Sequence, residues 1–262
     1  AEPQPPYQRP PLSKAYLMGD MALERLYLRP RSFYGEHGID LRLGATVDAI
    51  DTAGRQIAVN GGMLAYDDLV LATGSVPHRL PAAIGGALDG VFAVGGYIGL
   101  EAASVAAKLG LEVTLVEMAP RILQRVAAPE TSDFFRALHR SHGVDLRESV
   151  GLERLTGEGA VSGAVLTDGT MLEVDFVIVG VGVAPATKLA EAAGITLDNG
   201  IAVDGFGRTS APHVWAAGDC TSFPYRGSRI RLESVPNAID QAEVVAENLM
   251  GAEKCYEAKP WF

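Results

Sequence analysis

The sequence predicts an α/β protein built from two related halves, and three observations carry that prediction. Residues 91–117 read as strand, glycine turn, helix, strand and acid. The apolar run Val91-Phe92-Ala93-Val94 leads into Gly95-Gly96-Tyr97-Ile98-Gly99, an alanine-rich stretch reaches Lys108, and Val113-Thr114-Leu115-Val116 closes on Glu117. A second framework occurs twice. One copy begins Gly38-Ile39-Asp40-Leu41-Arg42 and ends Asp68-Leu69-Val70-Leu71-Ala72-Thr73-Gly74; the other begins Gly143-Val144-Asp145-Leu146-Arg147 and ends Asp175-Phe176-Val177-Ile178-Val179-Gly180. Each copy finishes in a continuous apolar run, the pattern of a strand buried on both faces of a parallel sheet.

Residues 1–37 hold no strand followed by a glycine turn. They read as a proline-rich loop, from Pro5 to Lys14, and then helical segments. The unit at 91–117 precedes the second copy and nothing equivalent precedes the first, so the chain is expected to start after a first fingerprint of its own. Within each copy, short alternating strands flank a glycine turn, Asn60-Gly61-Gly62 in one and Asp168-Gly169 in the other, as antiparallel neighbours require. Pro77–Gly90 is punctuated like a linker, and Asn199–Ser210 like the return crossing. The expected domains are therefore 1–88 with 203–262, and 89–202. The last apolar strand is His213-Val214-Trp215-Ala216-Ala217, followed by Gly218-Asp219-Cys220. Beyond it Asn237–Gly251 has helical spacing, with Ala238, Ala242, Val245 and Leu249 on one face and Gly251 as the cap.

A chain of 262 residues accommodates one large or two small α/β domains. Its 48% hydrophobic and 21% charged content excludes a disordered composition. The net charge of -10 argues against nonspecific binding to nucleic acid or anionic lipid. Phe176–Ala186 is the longest apolar stretch and is too short to span a bilayer. Cys220 and Cys255 are too few for a disulfide scaffold and too far apart for a Cys-x-x-Cys motif, which predicts free thiols in a reducing, cytoplasmic compartment. His37, His78, His139, His142 and His213 show no metal spacing and read as surface residues.

Gly95, Gly96 and Gly99 with Glu117 form the best-defined constellation. Glycines admit a pyrophosphate close to the backbone, a helix N-terminus faces its charge, and an acid after the next strand accepts from ribose hydroxyls. An acid at Glu117 favours NADH, because a 2′-phosphate would be repelled. The first glycine of the usual Gly-x-Gly-x-x-Gly is replaced by Val94. A packing turn beside a surface glutamate is the plain alternative. Asp219 follows a buried strand and a glycine, where it either holds a ligand hydroxyl or caps a turn. Lys14 and Arg9 lie in a stiff proline loop, where a cation can face an anionic cofactor or simply be solvated.

Arg9-Pro10-Pro11-Leu12-Ser13-Lys14-Ala15-Tyr16-Leu17, Ala72-Thr73-Gly74, Gly95-Gly96-Tyr97-Ile98-Gly99-Leu100-Glu101, Gly218-Asp219-Cys220 and Glu233-Ser234-Val235-Pro236-Asn237-Ala238 together resemble the FAD-dependent ferredoxin reductases. The resemblance runs along nearly the whole chain. It implies a glutathione-reductase-like fold of two Rossmann-like domains, one for FAD (1–88 and 203–262) and one for NADH (89–202). It also implies a hydride passing from NADH to FAD and single electrons passing on to a ferredoxin or rubredoxin. On this resemblance Lys14 would lie by the flavin ring and Arg9 near the FAD phosphates. Val47 would contact the adenine side, Thr73 and Gly74 would border FAD, Asp219 would bind the ribityl or phosphate region, and Val235 would approach the ring. Glu101 would lie by the nicotinamide, with Gly182 lining its pocket.

The chain departs from the family pattern in three places. The residues in hand hold no N-terminal FAD fingerprint, the segment between Gly90 and Val94 is short against the family's usual crossover, and an interface domain would be expected beyond Phe262. Two other readings stay open: an NADH oxidase or a peroxide or disulfide reductase of the same fold, and a non-catalytic remnant. Against the first, Arg9–Leu17 contains no cysteine.

Overall fold

The computed structural model describes residues 2–95 and 98–259. In chain order the elements are α1 Arg31–Glu36, β1 Val47–Asp51, β2 Gln56–Val59, β3 Gly62–Ala65, β4 Leu69–Leu71, β5 Ser75–Pro77, β6 Val91–Ala93, α2 Ile98–Lys108, β7 Thr114–Glu117, α3 Pro129–Ser141, β8 Asp145–Glu148, β9 Leu152–Thr156, β10 Gly163–Leu166, β11 Met171–Glu173, β12 Val177–Val179, β13 Val183–Pro185, α4 Lys188–Ala192, β14 Ile201–Ala202, β15 Val214–Ala216, β16 Thr221–Tyr225, β17 Ser228–Ile230 and α5 Val235–Leu249. They gather into two compact units. One holds Leu41–Val76 and the chain from Ala184 on; the other holds Pro5–Asp40 and Pro77–Val183. Within the second unit the turn Leu12–Tyr16 packs on α2, which holds the N-terminal segment there.

In the first unit β4 and β15 pair in parallel, Val214 with Leu69 through Ala216 with Leu71. Beside them β1, β2 and β3 form an antiparallel meander. The β2–β3 hairpin turns on Asn60 and Gly61, both with positive φ (49° and 78°), as a two-residue primed turn demands. The core is built from Ile201, Val203, Val214, Ala216, Phe223 and Val244. The hairpin β16–β17, turning at Arg226–Gly227, was not expected after the strand at 214–216.

Helix α5 starts at Ser234, whose side chain accepts from the Asn237 amide, with Pro236 in the first turn. It ends at Gly251 (φ 94°), where the Ala252 amide reaches the Glu247 carbonyl. Its buried stripe is not the apolar one expected. Ala242 is exposed, while Asn237, Gln241, Val244, Val245 and Asn248 are buried. Three amides sit on the inner face because each holds another segment: Gln241 the turn at Gly218, Asn237 the Tyr256 hydroxyl, and Asn248 the backbone of Phe206 and Lys254. A helical moment computed from hydropathy places such residues outside.

In the second unit β7 pairs in parallel with β8, Thr114 with Asp145 through Glu117 with Glu148, and β6 with β12, Val91 with Val177 through Ala93 with Val179. Strands β9, β10 and β11 form an antiparallel meander whose β10–β11 turn is Asp168-Gly169. The two copies of the framework thus share their hairpins and their closing strands. They differ at the start. Asp145–Glu148 is a strand held by β7, whereas 38–42 forms none, having no partner strand beside it among the described residues. His139, expected at the surface, is buried; its ring nitrogens lie 2.9 Å from the Phe135 carbonyl and 3.1 Å from that of Leu100, fastening α3 to α2.

Glu148 ends β8 and binds Arg136 of α3 through both oxygens (2.6 and 2.9 Å), and its Oε1 also accepts from the Ile122 amide. The Arg136 hydrogen bonds hold the carboxyl below its ordinary value near 4.5, against the opposing effect of burial. A depressed folded-state pKa stabilises the fold above the unfolded value, and that contribution is lost as pH falls through the folded one. Glu148→Gln is expected to cost about 1–3 kcal/mol at neutral pH, since Arg136 and the Ile122 amide both lose their acceptor's charge. The deficit should shrink as pH is lowered past the carboxylate range, which thermal melts across pH would measure.

Candidate functional site

Two neighbouring parallel strands end side by side in the first unit. After β4 the chain runs Ala72-Thr73-Gly74-Ser75, and after β15 it runs Ala217-Gly218-Asp219; the Ala217 amide donates to the Leu71 carbonyl. Ligands of α/β sheets collect at this carboxyl edge. Thr73 and Gly74 are fixed there, the Thr73 hydroxyl donating to the Ala186 carbonyl (2.6 Å) and the Ala186 amide to the Gly74 carbonyl (2.9 Å). Ser75 Oγ donates to Asp219 Oδ2 at 3.3 Å. Burial pushes the Asp219 carboxyl up from its ordinary value near 3.8, partly offset by the Ser75 hydrogen bond, and the Ser234 amide at the mouth of α5 also bonds it.

The turn carrying Asp219 is anchored from below. Gln241 Oε1 accepts from the Gly218 amide (2.8 Å) and from Thr221 Oγ1 (2.9 Å). Gln241 is buried, and its Nε2 has no partner among the described residues. Val235, the first residue of α5, is half-exposed. Val47 begins β1 and lines a mainly apolar cleft of about 190 Å³ with Ile50, Ile57, Leu71, Ala72 and Thr73. That space is below the ~300 Å³ of a small-ligand pocket, so by itself it takes one apolar group.

In the second unit Lys14 Nζ lies 3.0 Å from Glu101 Oε1, both side chains about half-exposed. Lys14 departs from helical backbone inside the Leu12–Tyr16 turn, and Glu101 stands in the first turn of α2. Arg9 stacks its guanidinium over the Tyr7 ring, 5.3 Å from the centroid. Gly95 leads from β6 toward α2, and a Cβ there would stand 2.7 Å from Val183 Cγ1, so any side chain would require Val183 to shift. Gly99 is different: a Cβ on it would meet nothing within 4 Å. Gly96 lies outside the described residues. Glu117 ends β7 half-buried, its Oε1 accepting from the Ala119 amide at 2.8 Å. Gly182 accepts from the His78 amide through its carbonyl (3.0 Å).

The structure therefore brings Thr73, Gly74 and Asp219 together, and separately Lys14 and Glu101. Sequence reasoning passed over Ser75, Ser234 and Gln241. Ser75 and Ser234 adjoin residues already singled out, whereas Gln241 lies off the apolar stripe expected for α5 and carried no signal in the sequence. Among the described residues no cluster of His, Cys, Asp and Glu could hold a metal ion, and no helix is long and apolar enough to cross a membrane.

Comparison with known proteins shows the family. The family pattern of the pyridine nucleotide-disulphide oxidoreductases matches residues 1–94 and 91–242. The chain is 42% identical to the 5,5'-dehydrodivanillate O-demethylase ferredoxin reductase subunit of Sphingobium sp., covering 100% of this chain and 70% of that one. It is 41% identical to putidaredoxin reductase of Pseudomonas putida, covering 98% and 68%. The crystal structure of the covalent putidaredoxin reductase–putidaredoxin complex superposes with a TM-score of 0.91 at 39% identity, covering 100% of this chain and 70% of that one.

Proposed function

The chain belongs to the pyridine nucleotide-disulphide oxidoreductases, and on that premise we propose that it is a flavoprotein reductase taking electrons from NADH for a ferredoxin-type iron–sulfur protein. FAD, when bound, supplies the means to turn a two-electron donor into a one-electron source. The residues at the β4–β15 edge suit such a group: a half-buried carboxylate pushed up by desolvation, a helix N-terminus beside it, and a backbone turn fixed from beneath. Thr73, Gly74 and Asp219 would hold its hydroxyl-rich and phosphate portions, Val47 its adenine side and Val235 the ring; Arg9 would serve its phosphates. In the second unit Gly95, Gly96, Gly99 and Glu117 would take NADH, with Gly182 lining the nicotinamide pocket. Residues 1–88 with 203–262 are assigned to FAD and 89–202 to NADH.

The observation that carries the reading is the Lys14–Glu101 pair in a segment that has no thiol. A disulfide reductase must place a cysteine next to the flavin to receive its electrons. Here Arg9–Leu17 offers a lysine, held by a carboxylate. Electrons then leave for an external acceptor. Cys220 is a free thiol, buried among Leu71 and Ala217 carbonyls, and Cys255 is free as well. Free thiols suit a reducing compartment, and we place the protein in the cytoplasm.

The test is an anaerobic titration of FAD-reconstituted protein with NADH, followed by oxidised ferredoxin. Bleaching of the flavin band by NADH and its return on adding ferredoxin support the reading. Bleaching with return only on adding a disulfide would replace it by a disulfide reductase, and no bleaching by a remnant. A second prediction concerns the pyridine nucleotide. Glu117→Ala should narrow the preference for NADH over NADPH about tenfold or more, since a 2′-phosphate no longer faces a carboxylate. An unchanged ratio of kcat/KM values would remove Glu117 from the site.

A further inference from the structure

Within the second unit, helix α3 carries Ser132, Arg136 and His139 at i, i+4 and i+7, a spacing that puts them on one face. Each bonds a different segment. Ser132 is fully buried, and its Oγ donates to the Ile122 carbonyl at 2.6 Å, in the loop that follows Glu117. Arg136 holds Glu148, which stands opposite Glu117 in the β7–β8 register. His139 is 7% exposed, and its Nε2 lies 3.1 Å from the Leu100 carbonyl in the first turn of α2. One helix face thus reaches both the surroundings of Glu117 and the start of α2.

The start of α2 has need of such a tie. Its residues 102–107 are Ala, Ala, Ser, Val, Ala and Ala, small side chains that bury little apolar area. Leu100 stands between Gly99, on which a Cβ would meet nothing within 4 Å, and Glu101. A carbonyl only accepts, but it has two lone pairs, so Leu100 can take the ring in addition to a helix amide. The His139 ring donates to Leu100 as the Nε2–H tautomer. When doubly protonated it donates to Phe135 as well, whose carbonyl lies 2.9 Å from Nδ1.

We propose that His139 is a positioning residue for the pyridine nucleotide: its Nε2–H pins the first turn of α2 to α3, and α3 sets the spacing between that turn and Glu117. A dinucleotide engages both places at once, its pyrophosphate at the helix start and its ribose at the acid, so a fixed spacing lowers the cost of ordering the site on binding. Glu101 has its own anchor in Lys14, 3.0 Å away on the Leu12–Tyr16 turn. Loss of the His139 tie therefore weakens binding and leaves the chemical step in place. The inference rests on the assignment of residues 91–117 to NADH and not on the identity of the electron acceptor.

The experiment is anaerobic stopped-flow reduction of the FAD-loaded chain over a range of NADH concentrations, which yields an apparent Kd and a limiting rate. His139→Asn keeps a donor in the place of Nδ1 but is too short to reach Leu100. His139→Gln carries its amide nitrogen in the place of Nε2 and keeps the bond to α2. The Asn variant should raise the Kd about fivefold or more with a limiting rate within about twofold of the parent, as expected for one lost hydrogen bond acting on binding. The Gln variant should stay within about twofold of the parent in both quantities. Equal effects of the two substitutions overturn the proposal, because the bond to Leu100 then decides nothing. So does a limiting rate lowered about tenfold in the Asn variant, since the residue then acts on the chemistry. A parent chain that NADH does not reduce overturns the NADH assignment, and this inference with it; a parent that saturates normally beside unchanged variants overturns the inference alone. Should His139→Asn fail to fold, hydrogen exchange on the parent decides: NAD+ must slow exchange at the α3 amides of residues 135–139 together with those of α2. Protection confined to α2 overturns the brace.

Discussion

Replacing Asp219 with asparagine is expected to weaken FAD binding about 10- to 100-fold while raising the melting temperature of the cofactor-free chain. The loss follows from removing a charged acceptor at the β4–β15 edge, where such a hydrogen bond contributes about 1.5–3 kcal/mol. The gain follows from the carboxyl's own position. Burial raises its folded-state pKa, so the folded chain holds the proton more tightly than the unfolded chain does. That contribution favours folding below the unfolded value and is withdrawn as pH rises through the raised folded one. At neutral pH the ionised, half-buried carboxylate works against the fold, and asparagine removes that opposition while still able to accept from Ser75. Flavin-fluorescence titration reads the affinity and calorimetry the stability. A residue that only capped its turn would show stability falling, with affinity following it.

The Lys14–Glu101 pair should behave in the opposite manner to a buried network. On the proposed placement beside the flavin, Glu101→Gln and Lys14→Met are each expected to slow flavin reduction by NADH about 100-fold, because groups next to a reacting ring act through position and charge. Both side chains are about half-exposed at 3.0 Å, and exposed ion pairs contribute only about 0–1 kcal/mol to stability. Melting temperatures should therefore barely move. The double variant should be little slower than either single one, since each residue holds the other in place. Anaerobic stopped-flow reduction measures all three rates. Additive losses would show that the two residues serve separate steps.

Much of this was legible before any coordinates. The hairpins at Asn60-Gly61 and Asp168-Gly169, the closing strands 69–71 and 177–179, and helix α2 reaching Lys108 all follow from local turn chemistry and periodicity. Asp219 was legible as a candidate because a carboxylate after a buried strand and a glycine has few places to go. What escaped were features decided by partners distant in sequence. Residues 38–42 and 143–147 look alike, yet only the second has β7 beside it and becomes a strand. His139 is buried because two carbonyls await its ring, one of them 39 residues away. The inner face of α5 was misread for the same reason: Asn237, Gln241 and Asn248 are polar residues that satisfy loops, and hydropathy counts them as surface.

Those three amides tie α5 to segments that carry no regular structure of their own. Gln241 grips the turn at Gly218, Asn248 the chain at Phe206 and Lys254, and Asn237 the Tyr256 hydroxyl. They stand four and seven residues apart, so a slip of the helix along its axis would break all three at once, and no neighbouring register would restore them. The helix therefore acts as a ruler for the Asp219 turn. Docking of α5 and shaping of that turn become one cooperative event, and the amides of Gly218 and of the α5 interior share a common opening free energy. A ligand held by Asp219 would accordingly stabilise a helix that it need not touch along its length.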